Sequence, residues 1–206
     1  MSQRTFVGAV VLAALASSAL ADNEITVWYA TGTYLVEQDA HTVLITSAGT
    51  FKVQATDGAN LGHIRSITVA PDVSGTVNLY ILRDPEEGGG NGAQDVEWVN
   101  LSNATTGNIA ELRVLRYLGH DEGAEDTQAA AIAGTFIVGK AVEKDVIVGT
   151  LASGASLSIY TLSANLEVTG SGPHAGSIDI EFFTSPDKTI SITGTITGEI
   201  VVGCLG

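Results

Sequence analysis

The sequence predicts an all-β fold, and three observations support this class. Runs of Val, Ile, Thr and Tyr alternate with Gly, Asn, Asp and Ser, a composition typical of short strands joined by turns. Within the runs, apolar and polar residues alternate, so that in residues 177–183 Asp179 and Glu181 would face one side and the apolar residues the other. Short β-branched runs that end in glycine also recur through the C-terminal half.

The predicted strands are short and closely spaced. The candidates are residues 25–30, 42–47, 51–55, 64–70, 76–82, 109–115, 135–138, 146–151, 156–162, 165–168, 177–183, 189–192 and 199–202. One further segment, residues 122–133, has an acidic first turn, an Ala-rich continuation and a terminating Gly134. That pattern fits either one short helix or an ordered loop.

The recurring motif favours a solenoid within the all-β class. It appears at residues 136–139, 146–149, 192–198 and 200–203, with other short strands between them at irregular spacings. Such spacing is natural for a solenoid whose coils contain several strands joined by variable turns. An antiparallel β-sandwich is the alternative, because it also produces short alternating runs. Dipeptides that close two-residue hairpins, such as Asp57-Gly58, are scarce, which favours the solenoid.

The glycine-punctuated strands of residues 135–203 resemble those of secreted right-handed parallel β-helix proteins, the pectate-lyase-like and adhesin-like group. The resemblance implies stacked parallel strands around a dry interior, with the acidic side chains facing water. It carries over no catalytic residues, because no Asp, Arg and Lys set in this sequence matches the pectate-lyase pattern. Fold-level similarity alone does not transfer an activity.

Residues 22–206 are predicted to form a single β-rich domain. A solenoid needs covered ends, since a terminal coil exposes apolar interior and unpaired strand edges. Residues 22–62, with less regular strands and several aromatics, are the candidate for an irregular N-terminal cap, and residues 63–206 supply the coils. At the other end, the strand at 199–202 leads directly to Gly206. We expect either a longer natural protein or a last coil that stacks against a partner.

Residues 1–21 have the pattern of a secretory signal peptide. Arg4 precedes an uncharged apolar segment, residues 6–20, and small residues at Ala19 and Ala21 mark a cleavage site. The apolar segment is shorter than the ~20 residues that span a bilayer. We therefore expect a secreted, periplasmic or cell-surface protein without a membrane span after cleavage.

The charge of the chain limits its partners. The whole sequence has a net charge of −14, and loss of Arg4 with the signal peptide would leave 8 basic and 23 acidic residues, or −15. Such a chain is repelled by nucleic-acid phosphates and by anionic lipids. The one cysteine, Cys204, excludes an intramolecular disulfide and is predicted to be a small buried apolar residue.

Two sets of acidic residues are candidates for chemistry. Asp179 and Glu181 lie two apart on a predicted strand, and a polysaccharide hydrolase requires such a pair of carboxylates. In a chain with 23 acids, the favoured interpretation is that both residues are solubilising side chains. The second set, Asp121, Glu122, Glu125 and Asp126, supplies the hard oxygen ligands that calcium prefers. It lacks the spacing of a known calcium loop, so a solvated acidic turn is favoured and no cofactor is expected.

The sequence therefore leaves two classes of function open. The first hypothesis is a secreted or cell-surface, non-enzymatic structural or interaction protein of adhesin-like character, with polysaccharide or other surface proteins as partners. The alternative is a carbohydrate-active enzyme, a hydrolase or lyase built on a β-solenoid. A groove lined by converging carboxylates and an exposed aromatic such as Tyr160, Phe183 or Trp98 would favour the enzyme, whereas a smooth wall would favour the interaction protein.

Overall fold

The computed structural model describes residues 23–27, 31–36, 41–55, 64–82, 96–103, 105–114, 116–120 and 122–204. The predicted signal peptide, residues 1–21, lies outside these ranges. These described ranges contain no helix that is long and apolar enough to cross a membrane.

The described residues contain eighteen strands and no helix. In chain order the strands are β1 (Asn23–Val27), β2 (Thr31–Val36), β3 (His41–Ile45), β4 (Gly49–Ala55), β5 (Ile64–Val69), β6 (Thr76–Leu82), β7 (Val96–Asn100), β8 (Thr106–Val114), β9 (Tyr117–Leu118), β10 (Thr127–Val142), β11 (Val146–Leu151), β12 (Ser156–Leu162), β13 (Leu166–Val168), β14 (Pro173–His174), β15 (Ser177–Phe183), β16 (Ile190–Ile192), β17 (Thr195–Ile196) and β18 (Ile200–Cys204).

Every strand pairing among the described residues is parallel, which confirms the predicted parallel β-helix and overturns the antiparallel sandwich. One face of the solenoid stacks β2, β4, β6, β8, β10, β12, β15 and β18 in that order. A second face stacks β1, β3, β5 and β7, then β9 and the start of β10, then β11, β13 and β16. A short third ladder pairs β14 with β17.

The interior consists of columns of apolar side chains, one from each coil. In one column Leu112, Phe136, Leu157 and Ile178 lie opposite one another on successive strands, and all four are buried. Val114, Val138, Ile159 and Ile180 form the neighbouring column and are equally buried. The alternating pattern of the sequence therefore encodes a dry core, because every second residue of these strands points inward.

The glycines that end the β-branched runs lie where successive coils approach closely. A Cβ atom on Gly149 would be 2.3 Å from the carbonyl oxygen of Ala130, and one on Gly198 would be 1.9 Å from that of Gly176. No side chain fits at such a position without moving the backbone of the neighbouring coil. In β11 and β18 the glycine of this motif lies within the strand, at a point where the backbone of the neighbouring coil leaves no room for a Cβ atom.

The close contact between successive coils also explains why residues 122–133 form no helix, although their sequence pattern fits one. Residues 127–133 belong to β10, which continues around a corner from the second face to the first. The Ala-rich run supplies small side chains where the coils are close, and Ala130 contacts the position that Gly149 occupies. Tertiary packing has overridden the helix propensity of alanine here.

One further expectation differs from the structure and another stays a prediction. The described strands of residues 22–62, β1 to β4, pair in parallel with each other and with β5 and β6. That residues 22–62 form a cap stays a prediction. Cys204 is exposed, not buried, because it lies on β18 at the outer edge of the sheet.

Candidate functional site

The candidate site lies on the outer surface of β10, β12 and β15. Asp179 lies opposite Ser158, which lies opposite Ile137, so these three outward-facing side chains form one column. Tyr160 lies beside Glu181 on the neighbouring strand. This follows from the register, because the residues before them, Ile159 and Ile180, are paired, and so are the residues after them, Thr161 and Phe182. Side chains that are 21 residues apart in the sequence thus become neighbours on one flat surface.

A shallow groove of about 230 Å³ follows these columns. Its lining comprises Ile137, Val138, Gly139, Ser158, Ile159, Tyr160, Asp179 and Glu181. Tyr160 is 46% exposed and is one of four large apolar side chains that are exposed among the described residues. We call this feature the Tyr160 groove.

The ring of Tyr160 is supported from the next coil. The edge of the Phe182 ring meets it, with centroids 5.2 Å apart and planes at 76°. A T-shaped contact of this kind is favourable for two aromatic rings and restricts their rotation. Tyr160 therefore offers an oriented, half-exposed aromatic surface rather than a freely moving side chain.

Asp179 and Glu181 both line the groove. They lie two residues apart on the same face of β15, which separates their Cα atoms by about 7 Å. Both are exposed, and neither forms a hydrogen bond or ion pair within the described part of the chain. Their four carboxylate oxygens are therefore available to accept hydrogen bonds from a ligand.

The arrangement of these carboxylates is less suited to hydrolysis. The two carboxylates of a glycosidase flank the scissile bond, and the acid is usually kept protonated by an apolar pocket. Asp179 and Glu181 instead project side by side from a single strand into an open groove. The groove combines the carboxylates and aromatic ring expected of an enzyme with the flat wall expected of an interaction surface.

The four predicted calcium ligands are only partly described by the structure, and a calcium site there stays a prediction. Glu122 and Glu125 are exposed, and Asp121 lies outside the described residues. No group of three or more His, Cys, Asp or Glu side chains in the described ranges is placed to hold a metal ion.

Asp126 has a structural role in a stack of turns. Its Oδ1 accepts a hydrogen bond from the backbone N–H of Asp145 at 3.2 Å. In the next coils, Asp145 accepts hydrogen bonds from the backbone N–H and side-chain amide of Asn165, at 2.9 and 2.7 Å, and Asn165 accepts one from the N–H of Thr189 at 2.9 Å. These side chains satisfy the backbone groups of successive turns.

A cluster of cations around Tyr117 was not predicted. The Lys140 ammonium lies 4.6 Å and the Arg116 guanidinium 5.4 Å from the centre of the Tyr117 ring, distances typical of cation–π contacts. His120 stacks on the same ring at 4.3 Å, and its Nδ1 lies 2.8 Å from Oε2 of Glu143. Lys140 directly follows Gly139 of the groove lining, so this Tyr117 cluster adjoins the Tyr160 groove.

His174 is buried and joins three segments of backbone. Its Nε2 lies 2.7 Å from the carbonyl oxygen of Thr193 and 2.9 Å from that of Gly170, so this nitrogen must carry the hydrogen. Its Nδ1 accepts a hydrogen bond from the N–H of Leu151 at 3.4 Å. The imidazole is therefore a structural link between coils rather than a ligand or a catalytic base.

Comparison with known proteins identified no relative of this chain. No protein-family model matches the chain, and searches of curated proteins and of solved structures also found no match. The similarity to pectate-lyase-like and adhesin-like proteins remains a prediction from the sequence.

Proposed function

We propose that this chain is an extracellular, non-enzymatic interaction protein whose rigid solenoid holds a polysaccharide against the Tyr160 groove. The observation that carries the proposal is the half-exposed ring of Tyr160, held by Phe182 beside two carboxylates that have no hydrogen-bond or ion-pair partner among the residues that the structure describes. An oriented aromatic ring next to hydrogen-bond acceptors is a combination that suits the apolar face and the hydroxyl groups of a sugar.

A sugar ring fits both parts of this surface. One face of a pyranose presents C–H groups, which pack against an aromatic ring, and its hydroxyl groups donate hydrogen bonds to carboxylates. Successive coils repeat about every 4.8 Å along the axis, so equivalent outward positions form a straight track for an extended chain. The Tyr117 cluster lies further along the same track and extends the surface available to a polymer.

A neutral polysaccharide agrees best with the charge of the protein. A chain with a net charge of −14 repels a polyanion at long range, and the two groove carboxylates add to that repulsion. Binding to a neutral glucan, mannan or xylan avoids this cost. The proposed partner is therefore an uncharged polysaccharide rather than a nucleic acid or a polyuronate.

The carbohydrate-active enzyme is a second candidate because two carboxylates, those of Asp179 and Glu181, line the same groove. A glycosidase requires such a pair. Its weakness is that both side chains leave the same strand in the same direction. Release of reducing sugars separates the two candidates, whereas binding alone does not.

The binding test compares retention of the purified protein on a panel of insoluble neutral polysaccharides. We expect the wild type to be retained by at least one of them, and Tyr160→Ala to lose roughly 10- to 30-fold in affinity, equivalent to about 1.4–2 kcal/mol. Tyr80→Ala is the matched control, because Tyr80 is a partly exposed tyrosine of the same face, stacked with Lys52 several coils away. Equal retention of wild type and Tyr160→Ala would refute the proposal.

A further inference from the structure

Two positively charged residues lie opposite each other on adjacent coils. The pairing of Ala141 with Tyr117 places the residues that precede them, Lys140 and Arg116, side by side. The N–H of Ala141 donates a hydrogen bond to the carbonyl oxygen of Arg116 at 3.0 Å, which fixes this register. The backbones of adjacent coils are about 4.8 Å apart. Two like charges this close repel each other, and an anion bound between them removes the repulsion.

Neither charge is neutralised by a carboxylate in the part of the chain that the structure describes. Both side chains are exposed, and both rest on the Tyr117 ring, with the Lys140 ammonium at 4.6 Å and the Arg116 guanidinium at 5.4 Å from its centre. Within the described ranges, neither side chain forms an ion pair or a hydrogen bond. Two adjacent cations without an acidic partner are an unexpected feature in a chain with 23 acidic and 9 basic residues.

The acidic residues that flank the pair in sequence are engaged by other side chains. Glu143 follows Lys140 by three residues, and its Oε2 lies 2.8 Å from Nδ1 of His120. Glu111, which precedes Arg116 on the neighbouring coil, forms an ion pair with Arg113. The positive charges of the pair are therefore available to an anion from solution.

A β-bulge presents Lys140 to solvent beside the Tyr160 groove. On the side that faces β12, two residues of β10, Gly139 and Lys140, together lie opposite the single residue Tyr160. A bulge of this kind bends the strand and changes the direction of a side chain. The ammonium group thus lies outside the regular row of side chains, against the Tyr117 ring and next to Arg116.

We propose that Arg116 and Lys140 form a binding site for a phosphate group. A phosphate dianion neutralises both charges at once, and its oxygens accept hydrogen bonds from the planar guanidinium and from the ammonium. Neither residue is among those that line the Tyr160 groove, so the proposal does not rest on the binding of a polysaccharide.

The net charge of the chain does not exclude a small anion at this site. At physiological ionic strength, charges in solvent are largely screened beyond about 8 Å. The groove carboxylates, Asp179 and Glu181, lie on β15, two coils from Lys140 on β10, or roughly 10 Å along the axis. A polyanion, in contrast, would have to extend over these carboxylates.

Titration of the nitrogen-15-labelled full chain with inorganic phosphate, followed by NMR at constant pH and ionic strength, tests the site. We expect saturable shifts of the backbone amides around residues 116 and 140, with a dissociation constant on the order of 1 mM, because the site is open to solvent and salt. Lys140→Gln and Arg116→Gln should each weaken binding at least about 5-fold, since each removes one of the two charges. Lys140→Arg keeps the charge and should retain binding.

Lys52→Gln is the matched control for these variants. Lys52 also lies over a tyrosine ring, 5.9 Å from the centre of Tyr80, but the residue opposite it on β6 is that tyrosine and not a second cation. This variant should bind phosphate like the wild type. Amides that do not shift, shifts that fail to saturate, or a Lys52→Gln variant as weak as Lys140→Gln would overturn the proposal.

A parallel titration with methyl phosphate identifies the source of the group. Binding at least as tight as that of inorganic phosphate assigns the site to a phosphate ester carried by a larger molecule. Weaker binding assigns it to the free ion, and no saturation with either compound would overturn the proposal.

Discussion

Phe182 holds Tyr160 from the next coil: the two rings meet edge to face, 5.2 Å apart at an angle of 76°. The two residues lie on β12 and β15, which pair in parallel along their whole length. The orientation of the exposed ring therefore depends on the stacking of coils and not on the strand that carries it. Rigid support of this kind improves binding because less side-chain freedom is lost when a ligand binds.

This contact predicts the behaviour of a Phe182→Ala variant. We expect it to bind the retained polysaccharide about 3- to 10-fold more weakly than the wild type, since an aromatic pair contributes about 0.5–1.5 kcal/mol beyond its buried area. The loss should be smaller than that of Tyr160→Ala, because the ring that touches the ligand is still present. Isothermal titration with a soluble form of the polysaccharide measures both values, and a larger loss in Phe182→Ala would contradict the supporting role.

The interior columns predict unequal effects of one substitution at two stacked positions. Ile178→Ala should lower the free energy of unfolding by about 3 kcal/mol, because it leaves a cavity in a closed core. Ile200→Ala, in the same column but 38% exposed, should cost about 1 kcal/mol. Urea denaturation of the two variants provides the comparison. Equal costs would mean that the last coil is covered in solution.

The glycines predict that the cost of a glycine-to-alanine substitution depends strongly on its position. Gly149→Ala would place a Cβ atom 2.3 Å from the Ala130 carbonyl oxygen, and we expect it to destabilise the protein by about 3 kcal/mol. Gly172→Ala meets no atom within 4 Å and should change stability by no more than about 0.5 kcal/mol. Thermal unfolding followed by circular dichroism separates them, and a well-tolerated Gly149→Ala would refute the close stacking of coils.

The different surroundings of His174 and His120 predict that removing the two side chains has unequal effects on the free energy of unfolding. His174→Ala removes the partner of the Gly170 and Thr193 carbonyl oxygens and of the Leu151 N–H in the interior. We expect a loss of about 3 kcal/mol in the free energy of unfolding. His120→Ala removes an exposed contact with Glu143 and a stacking contact with the Tyr117 ring, and it should cost at most about 1 kcal/mol. Chemical denaturation at neutral pH gives both numbers, and the reverse order would exclude a structural role for His174.

The sequence contains most of the information that specifies the class of fold. Alternation at residues 177–183 and the Val146-to-Gly149 motif predicted strands that the structure contains as β15 and β11. Strands β2 and β7 were missed, and the Ala-rich start of β10 was assigned to a helix or loop, because single-segment propensity carries no information about the coil above or below.

The site was only partly predictable for a related reason. Asp179, Glu181 and Tyr160 were recognised as separate candidates. Which side chains become neighbours depends on the length of each coil, and this length varies: it is 21 residues between Phe136 and Leu157 but 30 between Leu79 and Ile109. Unequal coils leave no fixed period from which to calculate contacts. The Tyr117 cluster and the backbone partners of His174 therefore had no signal in the sequence.

The most direct test of the proposed function measures binding and catalysis in one sample. The wild type is incubated with the polysaccharide that retains it, and bound protein and released reducing ends are both quantified. We predict retention that depends on Tyr160 and no release of reducing ends over extended incubation. Release by the wild type that disappears in Asp179→Asn or Glu181→Gln would contradict a non-enzymatic interaction protein and establish the groove as an active site.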